Sequence, residues 1–494
     1  MLSSPRPGET ETITIMANSS NEVALPDTLC RAIRSRAVLA ALVAYAVSRV
    51  LLYVWFSASV SDVFVYFRYA VAGVDHDLRP YREITQLEYP PVAYWTMCLP
   101  RLLTSDRLST RNVSKEEFDQ QLGRYHQMFR GLMLICDIAS FVLFVAVLRR
   151  CRPERLAWAA WGFVISTSLL GYVLLERLDM GVTLAILAWM YCAVRSDDDE
   201  RRAWAWSMLG YASLGIGISY KLIPLLIVPF SLWTDALRLR KTRDRRLLYG
   251  PIVLIMTAIG PFAYYYATVG DDLGRMFRYH SVRGVEIESI AATAMMVGES
   301  REALRPYFDN GSWNLGGTWE RPLVQISTYV LMVGLGVLGL RALGAPRLDG
   351  GFKGRNAYRL ACVAIPVALV ATKVFSVQYL LWGLPLLILA AAEFRDERLF
   401  RGIVVACIVM AALTTFIFPF YFFDRMHVWP YNGTWPPPWH LIESTHYAWD
   451  NERNLLVGTL STHGPPVPVM IVRNVLFVIC TAIAFCGVLR CRRS

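Results

Sequence analysis

The chain has 494 residues, 55% of them hydrophobic and only 18% charged, with a mean hydropathy of +0.37. That is too apolar for a soluble multidomain protein of this size, and it points to a membrane. Lysine and arginine exceed aspartate and glutamate by 50 − 39 = 11. The surplus lies in short connections between apolar runs, so it reads as an orientation signal, and no nucleic-acid motif competes with it.

Residues 1–36 read as a polar cytoplasmic tail without a cleavable signal peptide, in which Met16 offers a second translation start. A bilayer-spanning helix needs about 20 residues with few charges. About twelve such stretches follow, near 37–57, 127–148, 156–175, 178–194, 203–219, 222–236, 249–268, 322–341, 357–372, 375–393, 402–422 and 468–489. The expected architecture is an all-α polytopic membrane protein. Residues 37–489 form its single transmembrane domain and 490–494 a basic tail.

The arginine-rich connections, among them Arg149/Arg150/Arg152/Arg155, the run from Arg238 to Arg246 and Arg395/Arg398/Arg401, fall at alternate loops. By the positive-inside rule they are cytoplasmic, with both termini on that side of the plasma (inner) membrane. Three long extracytoplasmic loops then cover 58–126, 269–321 and 423–467, and short juxtamembrane helices are expected in them. All seven histidines fall on the outer side, whereas Cys98 is the one cysteine of ten that does, so no outer disulfide framework is expected.

A charge inside a span costs about 2.5–3.5 kcal/mol on insertion scales, so it usually faces a cavity or a partner. Asp62, Glu176, Arg177, Asp179, Lys221, Lys373 and Gln378 all map to outer ends of spans. Together they could surround one outward-facing cavity holding a carboxylate and several cations, although Lys221 and Lys373 could equally snorkel to the interface. Arg49 and Asp137 lie two to three turns deeper, and a structural ion pair between neighbouring helices is expected of them.

The first outer loop contains Asp62-Val-Phe-Val-Tyr66, Arg79-Pro80-Tyr81-Arg82 and Glu88-Tyr89-Pro90-Pro91. This resembles the pattern of the glycosyltransferase 87 family, polyprenyl-phosphate-sugar-dependent enzymes of the GT-C superfamily. Four later segments are similar in the same order: Glu176–Asp179, Tyr220–Pro224, Tyr279–Gly284 with Glu288-Ser289, and Ser376–Trp382. The resemblance covers about residues 40–395. It implies a GT-C-like bundle and transfer of a hexose, with mannose the leading choice, from a polyprenyl-phosphate sugar to a lipid or glycan acceptor.

In that superfamily an acidic residue just after the first span acts as catalytic base, and Asp62 matches that position. The chemistry agrees: with phosphate as leaving group, inverting transfer needs one base for the acceptor hydroxyl and cations for the departing phosphate. Physics and resemblance together make Lys221, His280, Arg283 and Lys373 the candidates for the donor phosphate. Glu88 is the rival base, or a carboxylate bracing the turn made by the prolines after it. Tyr66, Tyr89, Asp179, Glu288, Gln378 and Tyr379 are candidates for sugar or acceptor contacts; for Gln378, Tyr379 and Glu288 closure of helix ends is the plainer role.

Asp197-Asp198-Asp199-Glu200 reads as a solvated turn rather than a nucleotide-sugar metal site. Asp75-His76-Asp77 and Asp271-Asp272 leave a divalent cation open, but no metal and no cofactor is expected. The last outer loop gathers Trp429, Tyr431, Trp435, Trp439, Tyr447 and Trp449, read as an interfacial belt before a sugar-stacking platform. Asn112, Asn310 and Asn432 open outer sequons. The rival class is a multi-span secondary transporter or lipid or glycolipid flippase. Such a protein would normally show repeated halves and broken helices with polar groups near the midplane; no internal repeat is seen, and the polar groups crowd one mouth beside long outer loops.

Overall fold

The computed structural model describes residues 27–55, 62–104, 107–108, 114–309, 312–348, 353–417 and 466–490. The twelve apolar stretches are mostly helical where described, with breaks that include Leu170, Leu175 and 375–376. Among the described residues six runs are long and apolar enough to cross a bilayer: Ser35–Trp55, Glu116–Cys151, Arg245–Val282, Glu320–Gly344, Glu397–Thr415 and Val467–Arg490. The protein is therefore an all-α membrane protein, with one small hairpin as its only described sheet.

Helix α1 (Asp27–Trp55) leads to two short helices, α2 (Val63–Val74) and α3 (Pro91–Leu102), within the segment read as the first long loop. Helix α4 (Lys115–Cys151) starts twelve residues before the expected span because Ser114 caps it, accepting from the Glu117 amide at 3.1 Å, with Glu116 and Glu117 in the first turn. Its 37 residues rise about 55 Å, well beyond a hydrocarbon core of about 30 Å. The added N-terminal turns include His126.

The next apolar stretch is split into α5 (Leu156–Leu169) and the single turn α6 (Gly171–Leu174). Helices α7 (Asp179–Asp198), α8 (Ala203–Tyr220), α9 (Val228–Thr242) and α10 (Tyr249–Val269) follow. Helix α8 packs between α7 and α10. Gly181 lets α7 approach α8, since a Cβ there would stand 2.6 Å from the Tyr220 ring.

Helices α11 (Arg275–Val282) and α12 (Ile290–Gly298) precede the hairpin of β1 (Arg305–Asp309) and β2 (Ser312–Gly316), which the sequence had not suggested. Residues 285–287 add to β2, with Ile287 N donating to Trp313 O at 2.9 Å and Leu315 N to Val285 O at 2.8 Å. Val285, Ile287, Met295 and Leu315 form a separate small core with Met470.

Helix α13 (Glu320–Leu348) is peripheral, while α14 (Gly354–Ala371) and α15 (Leu380–Ala392) are buried almost throughout and form the centre of the bundle. Helices α16 (Glu397–Thr415) and α17 (Pro466–Arg490) complete the described chain. The aromatic loop at 423–465 and Asn112, Asn310 and Asn432 lie outside the described residues.

The expected deep pair forms. Arg49 Nε stands 2.7 Å from Asp137, and both side chains are buried. Tyr45 donates to the same carboxylate at 2.6 Å, and Thr167 and Ser168 accept the remaining guanidinium protons. At the arginine-rich end Asp197 accepts from the Gly354 and Arg355 amides, both at 2.8 Å, and pairs with Arg238. Asp197 thus caps α14, while Asp198 and Glu200 of the same run stay exposed as a solvated turn would.

Candidate functional site

Asp62 occupies the N-cap position of α2, yet its side chain accepts no backbone hydrogen bond there because its own backbone is already helical. The carboxylate instead pairs with Arg177, which sits in the turn between α6 and α7. Asp62 keeps 32% of its side chain exposed. Burial lowers Arg177 to about 10, with the charges of Asp179, Glu286 and Glu288 opposing the shift, so the guanidinium stays charged at neutral pH.

A second cation stands beside it. Lys221, the residue that ends α8, places Nζ 2.8 Å from Asp179 Oδ1 and over the rings of Tyr379 and Trp382 at 4.6 and 5.0 Å. Trp382 Nε1 donates to the same carboxylate oxygen at 2.8 Å. Asp179 therefore orients a lysine and an indole at once, which holds the ammonium in one position at the helix end.

Glu88 and Tyr89 reach this end of the bundle on a strained loop. Tyr81 has φ 67°, a costly conformation for a bulky side chain. It is held there by complete burial, by edge-on packing against Tyr265, and by its hydroxyl donating to Tyr89 O at 2.8 Å. Tyr66 and Tyr89 pack edge to face, with their hydroxyls 3.4 Å apart. Burial raises the Glu88 carboxyl above the usual range, against a hydrogen bond from Tyr279 and the charge of Arg283. His280 meets the Glu88 backbone.

The segment 283–289 supplies the rest. Glu288 is committed to Arg473 of α17, whose NH1 lies 2.8 Å from Oε2 and whose NH2 donates to Glu288 O. Asn474 adds bonds to Glu288 O and to Thr293. Lys373 is also engaged: Nζ donates to the carbonyls of Ser281 at 3.0 Å and Arg283 at 2.5 Å. Burial and the nearby Arg283 charge lower its pKa. Glu286, two residues before Glu288, faces Arg283 and hydrogen-bonds Ser376, and burial pushes its carboxyl up to about 7.

These contacts gather Asp62, Arg177, Asp179, Lys221, Glu88, His280, Arg283 and Tyr379 at one end of the bundle through shared partners. Glu288 and Lys373 lie beside that group with their side chains spent on structure. The sequence reading passed over Glu286 and Arg473. Nothing near Glu286 in the chain marks it, and Arg473 is hidden in an apolar span. Glu176, read at the cavity mouth, instead holds His126 at 2.5 Å and Arg130 at 3.2 Å.

Of the acidic pairs left open for a cation, Asp75 is consumed by Arg101, and Asp272 by Arg82 and Arg275. Among the described residues no group of three or more histidine, cysteine, aspartate or glutamate side chains is arranged to hold a metal. The cluster can take a proton at Asp62 or Glu88 while presenting positive charge to an anion. No family model matches the chain and no curated protein is similar to it, so the geometry of this cluster carries the functional reading.

Proposed function

We propose that the protein is an integral-membrane glycosyltransferase of the GT-C type, moving a hexose, with mannose our choice, from a polyprenyl phosphate to a lipid or glycan acceptor. The carrying observation is the partly exposed Asp62 carboxylate set against Arg177, with Lys221 fixed nearby by Asp179. Asp62 accepts the proton of the acceptor hydroxyl as that oxygen bonds to the sugar's anomeric carbon. The bond from that carbon to the phosphate oxygen breaks, and the phosphate leaves with the electron pair. Arg177, Lys221 and Arg283 offset its charge.

In this reading about twelve helices cross the plasma membrane, the cluster faces outward and both termini face the cytoplasm. The arginines paired with Asp197, Asp198 and Glu393 at the opposite end support that orientation. The test is sugar transfer from radiolabelled polyprenyl-phosphate mannose to a membrane lipid extract by purified wild type and Asp62→Asn. Transfer by wild type and its loss in a folded, donor-binding variant support the reading; equal transfer by both moves the base to Glu88, and none by wild type rejects the donor.

A further inference from the structure

Buried polar atoms are nearly always hydrogen-bonded, and an orphan asks for a partner the protein alone does not supply. Among the described residues, Glu88 Oε2, Glu286 Oε2, Gln378 Oε1 and Arg283 Nε are shielded from solvent and have no hydrogen-bond partner. They are neighbours. Lys373 ties two of them together, its Nζ donating to Arg283 O at 2.5 Å and its carbonyl accepting from Glu286 N at 2.9 Å. Gln378 lies five residues on, in the turn closed by Tyr379 N donating to Ser376 O. The Arg283 guanidinium stands 5.8 Å from the Tyr279 ring, which hydrogen-bonds Glu88.

Three of the four orphans are acceptors, so the missing ligand must mainly donate. A cation would meet Arg283, Arg177 and Lys221 at the same place, and the described residues offer no metal-ligating group of three. A neutral polyol meets no such repulsion. Its hydroxyls donate to the carboxylates and the amide oxygen, and one hydroxyl oxygen accepts from Arg283. The backbone is also fixed for the purpose: Glu286 N donates to Lys373 O at 2.9 Å, and the residues on either side pair with β2.

We propose that Glu88, Glu286, Gln378 and Arg283 form the subsite that reads the hydroxyls of the transferred sugar, with Glu286 selecting among hexoses. The inference rests on the glycosyltransferase reading and assigns the ring-binding part of that same site. Glu286 is suited to selection because a buried carboxylate rejects a sugar lacking the matching hydroxyl, which would leave the group unpaired again.

The test compares binding of two probes, polyprenyl phosphate and polyprenyl-phosphate mannose, to the full-length protein in nanodiscs, for wild type, Glu286→Gln and Glu286→Asp. Wild type is expected to prefer the sugar-bearing probe. Glu286→Gln should reduce the ratio of sugar-bearing to bare carrier binding about tenfold or more, with Glu286→Asp intermediate. Among single-deoxy analogues of the sugar, wild type should discriminate at one hydroxyl that Glu286→Gln no longer distinguishes.

Equal weakening of both probes would overturn the assignment, as would an unchanged preference in Glu286→Gln or a preference that disappears on chelating divalent cations. Wild type binding both probes equally sinks this inference alone. Wild type binding neither sinks the glycosyltransferase reading and this inference with it.

Discussion

Arg177 and Asp62 form an ion pair that joins the turn ahead of α7 to the residue opening α2. The guanidinium also stands where positive charge can meet a leaving group beside the proposed base. In the proposed reaction Asp62→Asn is expected to slow transfer by roughly 10²–10⁴-fold, the usual worth of a positioned base, with donor binding retained. Arg177→Lys should keep part of the rate and Arg177→Gln much less, because a lysine supplies the charge but not the fork. Initial rates and donor binding measured side by side decide it.

The Arg49–Asp137 pair belongs to stability. Removing one member of a buried pair leaves an uncompensated charge and typically costs about 3–5 kcal/mol. Asp137→Asn should therefore lower expression and melting temperature while the protein that survives binds donor normally. Joint replacement by Arg49→Met and Asp137→Leu is expected to recover most of the loss. A well-expressed, donor-blind Asp137→Asn would show instead that the pair serves the site.

Glu286 predicts a pH dependence. Its carboxyl rises from the ordinary 4.5 to about 7 in the folded protein, mainly through burial. A group raised on folding contributes stability that is fully present below its unfolded pKa and lost as pH climbs through the folded one. Wild type should thus lose stability between pH 4.5 and about 7 relative to Glu286→Gln, which stays neutral. The gap above that window reaches at most about 3 kcal/mol. Melting curves of the detergent-solubilised pair across this range provide the check, and parallel curves would rule the ionisation out.

Asp197 offers a control far from the site. Its carboxylate receives the first amides of α14, so Asp197→Ala should cost about 0.5–2 kcal/mol, the range for losing a cap, seen as a lower melting temperature. The ratio of sugar-bearing to bare carrier binding should not move.

Parts of this arrangement could be read along the chain. Arg49 and Asp137 stood out because a charge within an apolar run has to find a partner, and they found each other. Asp179 and Lys221 were legible as polar groups at helix ends, but not their bond to each other, since they are 42 residues apart at the two ends of a pair of helices, α7 and α8. Glu286 and Glu288 look alike in the sequence. What divides them is Arg473, 185 residues further on, which claims one and leaves the other facing Arg283. Lys373 was read as a phosphate ligand from its charge at a helix end and from the family resemblance; the structure turns it onto two carbonyls that no local pattern announces.

Helix α14 is gripped at both of its ends. Asp197 holds its first amides, and two residues past its last turn Lys373 clasps the Ser281 and Arg283 carbonyls. A buried rod fastened in this way acts as a spacer: it sets how far the 281–283 segment stands from the arginine-rich end of the bundle. Adding or deleting one residue in α14 would shift its far end by about 1.5 Å and rotate it by about 100°. Such a change would misplace Arg283 without touching any residue of the cluster itself.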